Sequence, residues 1–191
     1  MQMLLGCLLF ICVVINKNFI IVLLHKPEYA GYFNVFIVVS IGFLADMTGG
    51  VNGYIINLSK YYRLTTYFIL SAVAFCGIAN WILIPRMGMI GAAAAYSLAM
   101  IFLNFLYWLY VKLKFNLQPF GTAHLLIILI SVIALCVGEY LPANTNLWID
   151  LVFRSGTVII ICATLTYFFK ISPDITVIIN KLLNINRDNK Y

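Results

Sequence analysis

Charged residues are scarce in this 191-residue chain, at 9%, while hydrophobic residues make up 64%. Soluble domains carry about 25% charged and about 45–50% apolar residues, so a soluble globular domain is excluded. The mean hydropathy of +1.02 points the same way. The five cysteines, Cys7, Cys12, Cys76, Cys136 and Cys162, form no CxxC pair and no Cys/His zinc spacing. Neither a disulfide nor a metal is expected, and the thiols read as lipid-embedded packing groups. There is no GxSxG, no Walker-type phosphate loop, no HExxH and no carboxylate cluster near a histidine. An enzyme reading therefore lacks a catalytic site, and no cofactor is implied. The first residues, Met1-Gln2-Met3, lack the basic region that opens a signal peptide.

What the chain has instead is long apolar runs, six of them, near residues 3–24, 29–58, 64–84, 89–111, 120–141 and 147–169. About 20 helical residues at about 1.5 Å rise cross a hydrocarbon core of about 30 Å, and each run is that long. Inside lipid every backbone polar group must be paired internally, so the choice lies between helices and a closed barrel. Barrel strands alternate apolar and polar residues, whereas Leu125 to Ile133 and Val158 to Leu165 are apolar on nearly all sides. The expectation is an all-α, polytopic membrane helical bundle of about six transmembrane helices spanning 1–171, with the lipid bilayer as its solvent.

Eight of the twelve Lys and Arg residues sort into three places: Lys60 and Arg63, Lys112 and Lys114, and Lys170, Lys181, Arg187 and Lys190. The alternate connections hold only Lys26 and Arg86. Excess Lys and Arg mark the cytoplasmic side, which predicts that both termini are cytoplasmic and sets His25 and His124 on opposite sides. The net charge of +6 is thus mostly topological. It is no argument for nucleic acid, which would need a soluble basic face with groove-reading or aromatic elements.

Asn16, Lys17 and Asn18 interrupt the first run, which suggests a chain that starts partway through a helix, with upstream spans missing. After the sixth run, Ser172-Pro173-Asp174 is a helix-start signal, followed by Ile175, Ile178, Ile179, Leu182 and Leu183 at helical spacing. Residues 172–191 thus read as a cytoplasmic amphipathic helix and tail, lying on the leaflet or packed on loops of the same protein.

Asp46, Gly50, Gly53 and Asn57 share a helical face through spacings of 4, 3 and 4. Small residues admit a neighbouring helix and a membrane-embedded acid turns to protein or to water, so this face is expected to point inward. Asp46 either exchanges a proton or cation that couples transport or is held by Asn or Thr partners across a helix contact. Lys17 and Arg154 lie within or near the membrane; each snorkels to the interface or attracts an anion such as a phosphate in a cavity. Asn80 and Asn104 read as interhelical hydrogen-bonding groups. Gly91, Ala95 and Ala99 form a small-xxx-small-xxx-small packing seam, joined in that role by Gly50 and Gly53.

The seam sits in Asn80-Trp81-Ile82-Leu83-Ile84-Pro85-Arg86-Met87-Gly88-Met89-Ile90-Gly91-Ala92-Ala93. This run resembles the "LIP-x-x-G-x-x-GAA" turn in the C-terminal region of polysaccharide biosynthesis proteins, the oligosaccharide (O-antigen, Wzx-like) flippases of the multidrug/oligosaccharidyl-lipid/polysaccharide exporter superfamily. IIVLLHKPEY at 20–29 resembles that family's "ii-x-ll-x-g-x-eY" segment, with His25-Lys26-Pro27 where a glycine is usual. GYIINLSKYYR at 53–63 resembles its span ending in a Gly-Lys loop, with Ser59 in place of the glycine, and FFKISPD at 168–174 its closing segment. The resemblance implies the second lobe of a MATE-like exporter in the bacterial inner membrane, with a missing N-terminal lobe as partner. Its implied substrate is an undecaprenyl-pyrophosphate-linked oligosaccharide, flipped by alternating access. Lys17, Arg63 and Arg154 are the hypothetical pyrophosphate-binding cations. A non-transporting membrane partner docking through the Gly53 or Ala95 faces, and a drug or cation exporter of the same superfamily, are the alternatives.

Overall fold

In the computed structural model the described residues are 2–25, 27–116, 122–141 and 147–169. They form seven α-helices: α1 (Gln2–Ile15), α2 (Lys17–Leu23), α3 (Phe33–Asn57), α4 (Tyr62–Met87), α5 (Met89–Phe115), α6 (Thr122–Tyr140) and α7 (Leu147–Phe168). A 3₁₀ segment, Pro27–Tyr32, leads into α3, and no strand occurs among the described residues. Five helices, α3 to α7, are long and apolar enough to cross a membrane, or six if α1 and α2 are one span bent by 69°. The chain is an all-α polytopic membrane protein. Lys26, Lys170, Lys181, Arg187, Lys190 and the amphipathic segment 172–191 lie outside the described residues.

The run expected as one helix at 3–24 is two helices broken at Asn16. The second span starts at Phe33 rather than Tyr29 because the chain from Pro27 takes 3₁₀ turns first. The third and fourth helices outrun their apolar cores, reaching Met87 and Phe115. A helix in lipid keeps its backbone paired past the last apolar side chain, so composition marks the hydrocarbon portion and not the helix end.

The chain divides into two compact units, with the boundary inside α2. One unit gathers α1, α6 and α7 around buried Ile11, Ile15, Ile130, Ala134, Val158 and Cys162. Gly138 of α6 lies so close to Ile15 that a Cβ there would collide with the isoleucine side chain.

The other unit is α3, α4 and α5. The turn between α4 and α5 is a single residue, Gly88, at φ 57 and ψ −130. That left-handed geometry suits glycine, which has no Cβ to clash. Pro85 sits in the last turn of α4, and a Cβ on Gly91 would collide with the Leu83 carbonyl. The two helices can therefore fold back on each other within one residue.

With α4 reversed between them, α3 and α5 run parallel and pack along their length. Gly42 faces Ser97, Gly49 faces Asn104, and Gly53 faces Tyr107. The Ser97 hydroxyl donates to the Val38 carbonyl of α3 at 2.6 Å and to Ala93 of its own helix at 3.0 Å. A hydrogen bond to a backbone carbonyl across the contact needs the close approach that Gly42 permits.

Candidate functional site

The buried stripe of α3 runs along Gly42, Gly49, Asn52 and Ile56. This is one residue, about 100° of helical rotation, away from the Asp46, Gly50, Gly53, Asn57 line. Gly50 and Gly53 are half-buried, while Asp46 and Asn57 are exposed at the margin of the contact. There Asn104 Nδ2 donates to Asp46 Oδ1 at 3.0 Å and to the Met100 carbonyl at 3.0 Å. The acid thus has an asparagine partner from a neighbouring helix. Beside this pair a cavity of about 250 Å³ is lined by Ala45, Thr48, Gly49, Ile101, Asn104, Phe105 and Trp108. Its walls are mostly apolar, and the Asn104 amide that lines it also carries the Asp46 carboxylate.

Two buried polar residues of this unit, Asn52 and Thr65, have side chains without a hydrogen-bond partner among the described residues. Asn52 is 1% exposed and neither end of its amide has a partner among the described residues. The buried Thr65 hydroxyl is likewise unpartnered. An unmatched amide in a packed interior costs about 1–3 kcal/mol. Asn52 was visible in the sequence only as a neighbour of the small-residue line, since its burial depends on which of two adjacent faces α5 covers.

Gly91, Ala95 and Ala99 are all buried within the α3–α5 unit. Asn80 donates to the Cys76 thiol one turn back, at 3.4 Å, rather than to another helix.

In the other unit the chain breaks at Asn16, which is buried and donates to Ser155 Oγ of α7 at 2.9 Å and to the Cys12 carbonyl at 2.7 Å. Phe19, just past the break in α2, and Trp148, in the first turn of α7, meet edge-to-face at 5.1 Å. Lys17 and Arg154 are the immediate chain neighbours of the Asn16–Ser155 contact. Lys17 is exposed at the start of α2. Arg154 is half-buried: its Nε donates to Asp150 Oδ1 at 3.1 Å and its Nη2 to the Leu141 carbonyl at 3.1 Å, tying α7 to the end of α6. Arg63 belongs to the other unit, exposed in the first turn of α4 beside Tyr62.

The cations of the α3–α5 unit are polarised. Lys60, Arg63, Lys112 and Lys114 stand where α3 and α5 end and α4 begins, while Arg86 is in the last turn of α4, at the opposite end. The Lys60 and Lys114 ammoniums each lie 5.3 Å from the Tyr61 ring centroid, and Lys112 lies 4.8 Å from that of Trp108. Removal from water raises the Tyr61 phenol, and the hydrogen bonds and charges of Lys114 and Lys60 more than reverse this, leaving it below the usual tyrosine range.

Among the described residues no group of three or more His, Cys, Asp or Glu could hold a metal ion. Comparison with family models, with curated proteins and with solved structures finds no match.

Proposed function

We propose that this chain is a membrane transporter of the flippase type, moving a lipid-linked oligosaccharide from the cytoplasmic to the outer leaflet of the bacterial inner membrane for surface polysaccharide synthesis. It would do so as the C-terminal portion of a larger carrier, with both termini cytoplasmic. The observation that carries the reading is the 80–93 turn. Three residues of the motif resembling the flippase turn have a defined place in the hairpin: Pro85 in the closing turn of α4, Gly88 at positive φ, Gly91 against the Leu83 carbonyl. This agreement between the motif and the local geometry supports a shared local structure, and the function follows by analogy.

Asp46, bonded to Asn104 beside the cavity, is the candidate for ion coupling, since an exposed carboxylate at membrane depth is a site where protonation and conformation can be linked. Lys17 and Arg154, beside the helix break in one unit, are candidates for meeting a pyrophosphate; Arg63, in the other unit, is a separate candidate. The non-transporting alternative loses support because the Ala95 face is buried and Gly53 packs on Tyr107 within this chain, leaving neither free to dock a separate subunit.

The test is complementation of a flippase-deficient strain by the chain, alone and with an N-terminal lobe supplied. Restored surface glycan, lost in Asp46→Asn and kept in Asp46→Glu, is the expected result. Export of a cationic dye with no effect on glycan would favour the drug-exporter alternative.

A further inference from the structure

Two ammonium groups from segments far apart in the chain, Lys60 in the α3–α4 turn and Lys114 in the last turn of α5, are held on one tyrosine. Each is 5.3 Å from the same centroid, so they are separated by at most twice that distance. Among the described residues no carboxylate pairs with Lys60, Arg63, Lys112 or Lys114; the ion pair found there is Arg154 with Asp150, in the other unit. A neutral phenol between the two ammoniums cancels neither charge.

Tyr61 is not free to swing away. It packs edge-to-face on Tyr110 at 6.0 Å, Tyr110 on Phe68 at 5.9 Å, and Phe68 on Tyr107 at 6.0 Å, a column that reaches buried Ile56 and Val111. The rim therefore gathers like charges around one packed ring, an arrangement that is stabilised when an anion sits between them. Beside it the surface is apolar: Leu58 is 90% exposed and Leu113 77%. A soluble phosphate would use the lysines and leave Leu58 and Leu113 in water, whereas a phospholipid would cover both.

We propose that Lys60 and Lys114, with Tyr61 between them, form a binding site for the phosphate of an anionic membrane phospholipid whose acyl chains lie on Leu58 and Leu113. Interfacial Lys and Arg gain roughly 1 kcal/mol each from anionic lipid, so loss of both lysines should weaken binding by roughly 30-fold.

The experiment is native mass spectrometry of the purified full chain titrated with phosphatidylglycerol, with phosphatidylcholine, and with inorganic phosphate. The wild type should retain phosphatidylglycerol in preference to phosphatidylcholine. Lys60→Gln with Lys114→Gln should lose that preference while keeping its helical circular dichroism, Lys60→Arg with Lys114→Arg should keep it, and Arg86→Gln, at the opposite end, should keep it too. Equal retention of the two lipids by wild type, an unchanged preference in the double Gln variant, an equal loss in Arg86→Gln, or saturation by inorganic phosphate with no lipid preference would each overturn the proposal.

Discussion

Gly49 and Asn104 meet across the α3–α5 contact so closely that a Cβ on the glycine would overlap the amide oxygen and come within 2.9 Å of Cγ. The same amide holds Asp46 through its nitrogen, so the packing of one glycine sets the position of the acid's partner. At Gly42 the obstruction is different in kind, since a Cβ there would lie 2.8 Å from the Ser97 Cα, a backbone atom.

These two glycines are therefore expected to respond differently to rescue. Gly49→Ala should cost about 1–3 kcal/mol, as overpacking does, and Asn104→Ala should recover most of it by removing the obstructing side chain. Gly42→Ala should cost as much or more, and Ser97→Ala should not recover it. Unfolding in mixed micelles, followed by helical circular dichroism, measures all four variants.

The Arg154–Asp150 pair lies within α7, with side chains 12% and 21% exposed, and Arg154 also bonds the Leu141 carbonyl at the end of α6. Removing one partner of a fully buried pair costs about 3–5 kcal/mol, whereas replacing both by apolar groups is often neutral. With this partial exposure, Asp150→Leu alone should cost roughly 1–3 kcal/mol, and adding Arg154→Met should restore stability toward wild type. A double variant less stable than either single would show that the pair contributes net stability.

Because the Tyr61 phenol is shifted downward, its ionised form is favoured in the folded chain. The folded state should therefore gain stability as pH rises through the lowered value toward the ordinary tyrosine value of about 10, and lose that gain as pH falls back. The difference in tyrosinate absorbance between wild type and Tyr61→Phe should rise at lower pH than for free tyrosine. Lys60→Gln with Lys114→Gln should move that rise upward in pH.

Lys60 and Lys112 stand at one end of the α3–α5 unit and Arg86 at the other. Single cysteines at 60 and 112, in a chain cleared of its own thiols, should react with a membrane-impermeant reagent from the same side of the membrane. A cysteine at 86 should react from the other side. Labelling of 60 and 112 from opposite sides would invalidate the helix order.

Much of the fold was legible because long apolar runs admit few alternatives in lipid: the runs at 64–84 and 147–169 became α4 and α7 with shifts of a few residues at most. The face of α3 was not. Gly49 and Gly50, then Asn52 and Gly53, put small or polar residues on two adjacent lines, and only the side chains α5 brings, Ser97, Asn104 and Tyr107, decide between them. The sharp break at Asn16 was hinted at by its polar neighbours, but its hydrogen bond to Ser155 was not, since nothing local pointed to that residue.

That bond also constrains biogenesis. Asn16 and Ser155 are 139 residues apart, and at about 5–20 residues per second α1 leaves the ribosome roughly 7–30 s before α7 exists to receive it. The helices α3 to α5, which lie wholly within 20–121, are complete in the interval. Until α7 arrives the Asn16 amide keeps its bond to the Cys12 carbonyl one turn back, and the bond to Ser155 forms last.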